Sequence, residues 1–305
     1  MIYMWWSNPN CNPHGDVTSR TDIPFTRRLH WDAPRVEYRD DQSAKGTHWG
    51  QRKLLMSEIE FLTRHGSRSQ IVVYAGAAPG VHMRALQELF EDHVFVLVDP
   101  APFSVDESHS VSLIKEPFTD ELATQFAAMF GGDMLFISDI RSSGFVADGA
   151  EKHEQSIQKD MRDQMRWHSI MKPVKSMLKF RLPFESGSTV YLDGDIMLPV
   201  WGPVGTAECR LIADRNAGVV AYDHTRHEQQ MFHFNTVARI GLYNHDIKGE
   251  GIDHCFDCMS EIHILKTYLL QSGCPRRRLQ CCVSMLSRRL SRLLSKRRTL
   301  ECSNP

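Results

Sequence analysis

The sequence lacks several features that would place a protein in a class at once. No apolar run approaches the roughly 20 residues that a membrane-spanning helix needs. The first residues have neither the basic segment nor the apolar segment of a secretion signal. The eight cysteines are scattered through 305 residues, which favours reduced thiols over a disulfide framework. These absences predict a soluble intracellular protein. The sequence also shows no internal repeat.

The formal net charge is only −1, but the charge is unevenly distributed. Residues 1–45 show no sustained period and are rich in Asn, Pro, Asp and Arg, which predicts a loose N-terminal arm that can still contribute to ligand binding. Residues 273–305 form a basic C-terminal tail with no acid between Arg276 and Arg298. Such blocks are usually solvated or partly disordered. The leucine spacing within this tail leaves open a short amphipathic helix that contacts phosphates.

Between these ends, apolar strands alternate with helical periods. Strands are predicted at 71–76, 94–99, 111–115, 134–139 and 177–182, and helices at about 49–65, 81–92, 119–130, 153–171 and 255–270. Continuous apolar strands separated by helices are typical of an α/β fold whose mostly parallel central sheet has helices on both faces. Later strands at 189–192, 206–213 and 219–223 are expected to add an antiparallel edge.

A glycine-containing turn follows the first strand of this pattern. It consists of Gly76, Ala77, Ala78, Pro79 and Gly80. Ligands of open α/β sheets bind beyond the carboxyl ends of the strands, where glycine lets the backbone approach closely. An acid that ends the second strand, Asp99, can accept hydrogen bonds from two ribose hydroxyls. The loop and this acid predict a nucleoside cofactor, although tight turns of this kind also occur for structural reasons.

Four polar residues lie at the boundaries of the predicted elements. Lys179 interrupts an apolar strand, and burial or a neighbouring cation lowers the pKa of a lysine toward the range of a general base. Lys53, near the start of the first long helix, can supply that cation, while Asp139 and Glu208 can hold both ammonium groups. Each residue taken alone is more often structural. Their joint occurrence predicts a catalytic cluster.

The order of these four residues, with the segments YAGAAPG, ISDIRS, LKFRLPF and ECRL, resembles the Lys-Asp-Lys-Glu tetrad of RNA ribose 2′-O-methyltransferases. Within that group the chain is most similar to the poxvirus cap-specific enzyme that also stimulates poly(A) polymerase, and to its kinetoplastid and giant-virus relatives. The resemblance implies a Rossmann-like class I S-adenosylmethionine-dependent methyltransferase domain over residues 46–272, with the arm and the tail outside it.

The resemblance implies transfer of a methyl group from S-adenosylmethionine to the 2′-hydroxyl of a nucleotide next to the mRNA cap. Lys179 would deprotonate or orient that hydroxyl. Asp139 and Lys53 would tune the pKa of Lys179, and Glu208 would fix its geometry. Tyr74 and Asp139 would contact the cofactor together with the glycine loop and Asp99. No metal is needed, because the methyl carbon attached to sulfur is already the electrophile.

The resemblance also implies a pocket for the methylated, cationic guanine of the cap, which stacks well on aromatic rings. Phe184 matches one stacking ring, and Glu228 matches a carboxylate on the guanine edge. Tyr38 matches the second ring if a gap is allowed. The chain departs from the family at Ser186 and Gly205, where a carboxylate and an aromatic ring are expected, so the resemblance is weaker for the cap pocket than for the tetrad.

Two alternatives stay open at this stage. The chain could be a methyltransferase-like RNA-binding subunit that assists a polymerase, or it could methylate ribosomal or transfer RNA without a cap pocket. The expected partners are the capped 5′ end of an mRNA and a polymerase or capping protein, and no membrane. The expected location is the nucleus, or a cytoplasmic viral replication site if the chain is virus-encoded. Cys255 and Cys258 form a single CxxC motif, and a zinc site needs a second ligand pair, so no metal is predicted.

Overall fold

The computed structural model describes residues 23–39, 50–142, 150–203, 205–249 and 252–295. In chain order its strands are β1 (Arg28–Leu29), β2 (Ile71–Ala75), β3 (Val94–Val98), β4 (Val111–Ile114), β5 (Leu135–Ser138), β6 (Lys175–Phe180), β7 (Ser188–Leu192), β8 (Asp195–Met197), β9 (Cys209–Asp214) and β10 (Val219–Asp223). The α-helices are α1 (Gly50–His65), α2 (Met83–Leu89), α3 (Asp120–Phe130), α4 (Ala150–Met171), α5 (His224–His233), α6 (Phe256–Gln271) and α7 (Leu279–Ser295). Within these ranges, no helix has both the length and the apolarity needed to cross a membrane.

Eight strands form one sheet in the order β1-β8-β9-β6-β5-β2-β3-β4. Five neighbouring strands of this sheet, β4-β3-β2-β5-β6, are parallel. With β2 counted as the first strand, this is the 3-2-1-4-5 order of a doubly wound α/β fold. The predicted Rossmann-like α/β fold with a mostly parallel central sheet is therefore confirmed. The predicted antiparallel edge is only partly correct. β9 lies inside the sheet between β6 and β8, and β7 pairs with β10 in a separate two-stranded ribbon.

Alternate residues of the central strands enter two separate hydrophobic layers, one on each face of the sheet. In β2, Val72 and Tyr74 pack on one face, and Val73 and Ala75 pack on the other. The first layer is covered by α1, α2, α6 and α7, and the second by α3, α4 and α5. Strands with two buried faces have no polar alternation, which is why these segments are continuously apolar in the sequence.

The N-terminal segment 23–39 is packed against the domain. Arg27 is buried and its guanidinium lies 2.9 Å from the carboxylate of Glu60 on α1. The next two residues, as β1, pair with β8. The prediction of a loose arm is therefore wrong for these residues, because a long-range ion pair and strand pairing replace the missing local pattern. The domain boundary near residue 45 stays a prediction.

The basic segment near the C-terminus is also ordered on the domain. Val283, Leu286 and Leu290 of α7 are buried against the layer that contains α1 and α6. The amphipathic-helix interpretation is thus correct for residues 279–295, and the solvated-tail interpretation is wrong there. Residues 296–305 lie outside the described part of the chain, and the domain boundary at 272/273 stays a prediction.

A buried polar network fixes α7 and α6 to the start of α1. The Arg52 guanidinium is fully buried and donates to the Glu261 carboxylate, with a distance of 2.8 Å from Nε to Oε2. It also donates to the hydroxyls of Ser287 and Ser291 on α7. The indole N–H of Trp201 donates to the same carboxylate at 2.8 Å. Three helices and the loop after β8 are therefore held together beside Lys53, the residue that follows Arg52.

Candidate active site

The four predicted catalytic residues meet at one edge of the sheet. Asp139 directly follows β5, Lys179 lies near the carboxyl end of β6, and Glu208 directly precedes the antiparallel strand β9. Lys53 reaches the same edge from the first turn of α1. The carboxyl ends of parallel strands and the amino end of an antiparallel neighbour lie on the same side of a sheet. The topology therefore brings together residues that are far apart in the sequence.

Short contacts join all four side chains. Lys53 Nζ lies 2.7 Å from Glu208 Oε1. Lys179 Nζ lies 3.0 Å from Asp139 Oδ1 and 3.8 Å from Glu208 Oε2. The side chain of Lys179 is 14% exposed, so its ammonium group is held by two carboxylates and is still accessible from the edge of the sheet.

Two arginines that the sequence analysis did not select complete the cluster. Arg210 is buried and bridges the two carboxylates, at 2.7 Å from Asp139 and 3.2 Å from Glu208. Arg141 donates to the other oxygen of Glu208. Both follow a predicted acid by two residues. A period of two places Glu208 and Arg210 on the same side of β9, and this spacing is the signal that could have identified Arg210.

The cluster contains four cations and two carboxylates, and the cations control the ionisation of the acids. Burial alone would raise the pKa of Asp139, but Lys179 and Arg210 outweigh burial and lower it. The pKa of Glu208 is held well below its usual range in the same way, by Lys179, Arg210 and Lys53. Both acids are therefore carboxylates at neutral pH. Burial and the nearby Arg210 lower the pKa of Lys53, against the attraction of Glu208.

A glutamine on α4 fixes the backbone of Lys179. The parallel pairing of β5 with β6 ends at Ser138 and Leu178, so the next residue has no strand partner on that side. The buried Gln164 side chain takes the place of the strand. Its amide group donates to the Lys179 carbonyl and its oxygen accepts the Lys179 N–H, both at 3.1 Å. Sequence reasoning missed this residue, because a polar residue in a long helix has no local signal of such a role.

We expect Gln164→Leu to lower the kcat of the methyl transfer that the resemblance implies about tenfold, with little change in KM. The variant leaves two buried backbone groups of Lys179 unpaired, which costs about 1–3 kcal/mol for each group and lets the lysine shift. Steady-state kinetics, with unfolding curves to separate stability from activity, would measure the effect. Gln158→Leu, a partly exposed position on the same helix, is the matched control. An unchanged kcat in a folded Gln164→Leu protein would contradict the positioning role.

The glycine loop after β2 has the shape expected of a ligand cradle. Gly76 has φ = 77°, and a Cβ on it would lie 2.7 Å from the backbone nitrogen of Ile140, so no other residue fits. Asp99 ties the loop to the turn after β3, because its two oxygens accept the N–H groups of Ala78 and Ala101, at 3.2 and 2.8 Å. A carboxylate has about four acceptor positions, so Asp99 can also accept hydroxyl donors. These residues fit a nucleoside cofactor.

Tyr74 differs from the other residues predicted to contact the cofactor. Its side chain is fully buried in the core beneath the loop, and burial together with the nearby Glu58 raises its pKa well above the usual value. It can support the loop from below, but direct contact with a ligand would require its hydroxyl to reach through the core. Its role, and that of Asp139 toward the cofactor, stay predictions.

The three residues predicted to bind the cap lie around one helix, α5. The loop of Phe184 is joined to the start of α5 by a 3.0 Å contact between the Glu185 carbonyl and His224 Nδ1. Glu228 lies one turn further along the helix. The ring of Tyr38 packs edge-on against Phe232, another turn along, with centroids 5.2 Å apart. Positions four apart share one side of a helix, so the fold brings the three residues to one region.

The exposure of these side chains suits ligand contact. Phe184 is 52% exposed, so it is not a core residue, and the guanidinium of Arg181 lies 4.4 Å from the centre of its ring. Tyr38 is 48% exposed. Glu228 has no ion-pair partner within the described ranges, and partial burial raises its pKa. Gly205 and Ser186 offer no replacement for the aromatic ring and the carboxylate that the resemblance leads one to expect.

The CxxC motif lies at the start of α6. The ligand atoms of Asp253, Cys255 and Cys258 lie within 4.8 Å of one another. Both thiols also have local hydrogen-bonding roles, because Cys255 Sγ accepts the Cys258 N–H and Cys258 Sγ accepts the Asp253 N–H. These contacts give the motif a role in capping the helix. The absence of a metal stays a prediction.

Comparison with known proteins supports the family resemblance. A family model described as poly A polymerase regulatory subunit matches residues 30–282. A protein of myxoma virus strain Lausanne named cap-specific mRNA (nucleoside-2′-O-)-methyltransferase is 28% identical over 242 residues, covering 72% of this chain and 69% of its own length. A fowlpox virus protein of the same name is 28% identical over 228 residues, covering 66% of this chain and 71% of its own.

The solved structure of bluetongue virus VP4, described as a multifunctional RNA-capping production line, gives a TM-score of 0.45 at 11% identity. The match covers 66% of this chain and 34% of the VP4 chain.

Proposed function

The chain belongs to the poly A polymerase regulatory subunit family, and from this premise we propose that it transfers a methyl group from S-adenosylmethionine to the 2′-hydroxyl of a nucleotide next to an mRNA cap. The function predicted from the sequence agrees with the names of its viral relatives. The relatives supply the substrate class, while the side chains of this chain supply the chemistry.

One observation carries the proposal. The ammonium group of Lys179 lies within 4 Å of both Asp139 and Glu208, at the edge of the sheet where Gly76 begins the loop that fits a nucleoside. A lysine held by two carboxylates beside a cofactor cradle can orient a hydroxyl for attack, and its neutral amine form can receive the proton of that hydroxyl. A surface lysine in a simple ion pair would not need the additional cations around it.

Each residue of the cluster has its own role in the proposed reaction. Lys179 contacts the attacking hydroxyl, and its backbone is fixed by Gln164. Asp139 and Glu208 hold the lysine while Arg210 keeps their two charges balanced. S-adenosylmethionine, when bound, supplies an electrophilic methyl group. Positioning contributes a large part of the rate, because the reacting atoms must be in line and close.

The net positive charge of the cluster suits an RNA substrate. Four cations around two carboxylates attract the phosphates that flank the reacting ribose, and they stabilise the negative charge that develops on its oxygen. Arg141 is the cation best placed for phosphate contact, since its side chain is 27% exposed beside Glu208. Phe184, Glu228 and Tyr38 are proposed to hold the cap guanine along α5. Stacking of the cationic guanine on Phe184 would displace the guanidinium of Arg181, which has a second partner in Glu154.

We expect the protein to methylate capped RNA and to act at least about tenfold more weakly on the same RNA without a cap. Loss of one cation–π contact costs about 0.5–2 kcal/mol. Phe184→Leu should therefore reduce the preference for the cap without lowering kcat on saturating substrate. Transfer of labelled methyl groups to capped, uncapped and internally structured RNA, with mapping of the product nucleotide, would measure this.

The outcomes separate the alternatives. Equal activity with and without a cap would favour a ribosomal or transfer RNA methyltransferase. Absence of activity on all three RNAs, with retained RNA binding, would favour the polymerase-assisting subunit. Met129→Leu, an exposed apolar residue on α3, is the matched control for Phe184→Leu.

The description of the family also supports a polymerase partner, and we propose that both roles coexist in one chain. The relatives are viral proteins, which gives no support to the nuclear location expected from the sequence. The location stays a prediction.

A further inference from the structure

One side of α7 presents exposed arginines to solvent. Arg278, in the turn just before the helix, and Arg288 and Arg292 within it are all exposed. We call these three residues the arginine face. The exposed side of the helix contains Cys281, Met285, Arg288 and Arg292. They are spaced by four, three and four positions, so they lie opposite to buried Leu286 and Leu290. The face therefore points away from the core.

The charge of this face is not compensated nearby. No Asp or Glu occurs between residues 272 and 300. In the part of the chain that the structure describes, none of the three arginines has a carboxylate partner, whereas the neighbouring Arg289 pairs with Glu88 at 2.8 Å. Met285 lies between the arginines and is 61% exposed. Arginine interleaved with an exposed apolar side chain is chemistry that suits a strand of phosphates and bases.

The position of α7 connects this face to the active site. Ser291 accepts a hydrogen bond of 3.0 Å from Arg52, the residue before Lys53. Arg292 is the next residue along α7. The end of the helix is therefore fixed beside the first turn of α1, and Arg278 lies at the opposite end of the helix.

We infer that the arginine face of α7 binds the phosphate backbone of the RNA body that extends from the methylated end. This inference rests on the proposed function and adds a second, sequence-independent contact to it. Because α7 is packed through Val283 and Leu290, the arginines are presented on a fixed helix and not on a mobile tail. A backbone contact of this kind strengthens binding of long RNA and leaves the chemistry at the cap unchanged.

The test compares a variant with Arg278, Arg288 and Arg292 all changed to Gln with the unchanged protein. For a capped RNA of about 40 nucleotides, KM should rise about tenfold at moderate salt, with kcat unchanged. Each lost contact to single-stranded RNA reduces the slope of log affinity against log salt by about 0.7, so the triple variant should lose about 2 in slope. On a capped dinucleotide, which has no RNA body to contact α7, both constants should stay the same.

The matched control changes Arg68, Arg162 and Lys172 to Gln. These residues are exposed on other elements and give the same change in net charge. An unchanged KM for long RNA in the triple α7 variant, or the same increase in the control, would overturn the inference. So would an equal loss on the capped dinucleotide, because α7 would then act on the site itself.

Direct binding separates this inference from the proposed function. Fluorescence anisotropy with an uncapped 20-nucleotide RNA needs no methyl transfer, so it reports on α7 even if the protein proves inactive. The α7 variant should bind this RNA about tenfold more weakly than the control variant does. Equal affinity for RNA combined with lost binding to phosphatidylserine vesicles would overturn the inference in favour of a membrane surface.

Discussion

Replacing Lys179 with methionine should lower the rate of methyl transfer by about a hundred- to ten-thousand-fold, the usual contribution of a positioned acid–base group. Methionine keeps most of the volume of the lysine stem, so the strand should stay packed. Asp139 and Glu208 keep Arg210 between them and remain ionised. The cofactor affinity, measured by calorimetry with S-adenosylmethionine, should therefore be unchanged while turnover is lost.

The matched control is Lys175→Met. Lys175 lies at the other end of the same strand and pairs with Asp214 at 2.6 Å, far from the cluster. It should keep normal turnover. Lys179→Arg separates the two possible roles of the lysine, because a guanidinium donates hydrogen bonds but does not give up its proton. Partial activity of Lys179→Arg would indicate that the residue orients the hydroxyl, and no activity would indicate proton transfer. Near-normal turnover of Lys179→Met would disprove the assignment.

Replacing Glu261 with methionine should destabilise the protein by about 3–5 kcal/mol, because it leaves the fully buried Arg52 guanidinium without its counter-charge. Arg52 and Glu261 are both almost completely buried. Burial alone would raise the pKa of Glu261, but Arg52 and the hydrogen bonds from Ser287 and Trp201 lower it. Urea unfolding followed by circular dichroism would measure the loss.

The double variant Arg52→Met with Glu261→Met should recover much of this stability, since it removes both charges. Glu88→Gln is the matched control. It breaks two more exposed ion pairs, with Arg289 and Arg84, each of which contributes at most about 1 kcal/mol. An equal loss in the single and double variants would contradict the electrostatic explanation and point to packing alone.

The same pair gives an expected pH dependence. The pKa of Glu261 is lower in the folded protein than its usual value of 4.5, so its contribution is present above that pH and is lost as the pH falls. Glu261→Gln should therefore lose less stability on acidification than the unchanged protein does. The network also holds the start of α1, so the Glu261 variants should show lower activity at temperatures below their unfolding transition.

The sequence predicted the alternation of strands and helices and the four candidate catalytic residues because both give local signals. Continuous apolar segments predict buried parallel strands, and polar residues at the ends of such strands predict a site at one edge of the sheet. The family resemblance added their roles. The late strands were harder to place, because short half-exposed segments such as β8 give little period to detect.

The segments outside the regular pattern were predicted least well. The arm at 23–39 has no period, yet Arg27 anchors it through Glu60. The basic tail has a like-charge composition typical of disorder, yet Leu290 and its neighbours hold α7 on the domain. In both segments a few buried contacts with distant residues outweigh the average composition of the segment.

The sequence by itself therefore determined the fold class and indicated Lys53, Asp139, Lys179 and Glu208 as the candidate catalytic residues. Only the tertiary structure decided how these residues are held. Lys53 and Glu208 are in contact although 155 positions separate them in the sequence. Gln164 supports Lys179 because α4 lies beside β6, and Arg210 bridges the two carboxylates because β9 pairs with β6. A local period shows which face a side chain occupies. It contains no information about the partner across the sheet, and that partner sets the charge and the geometry of the site.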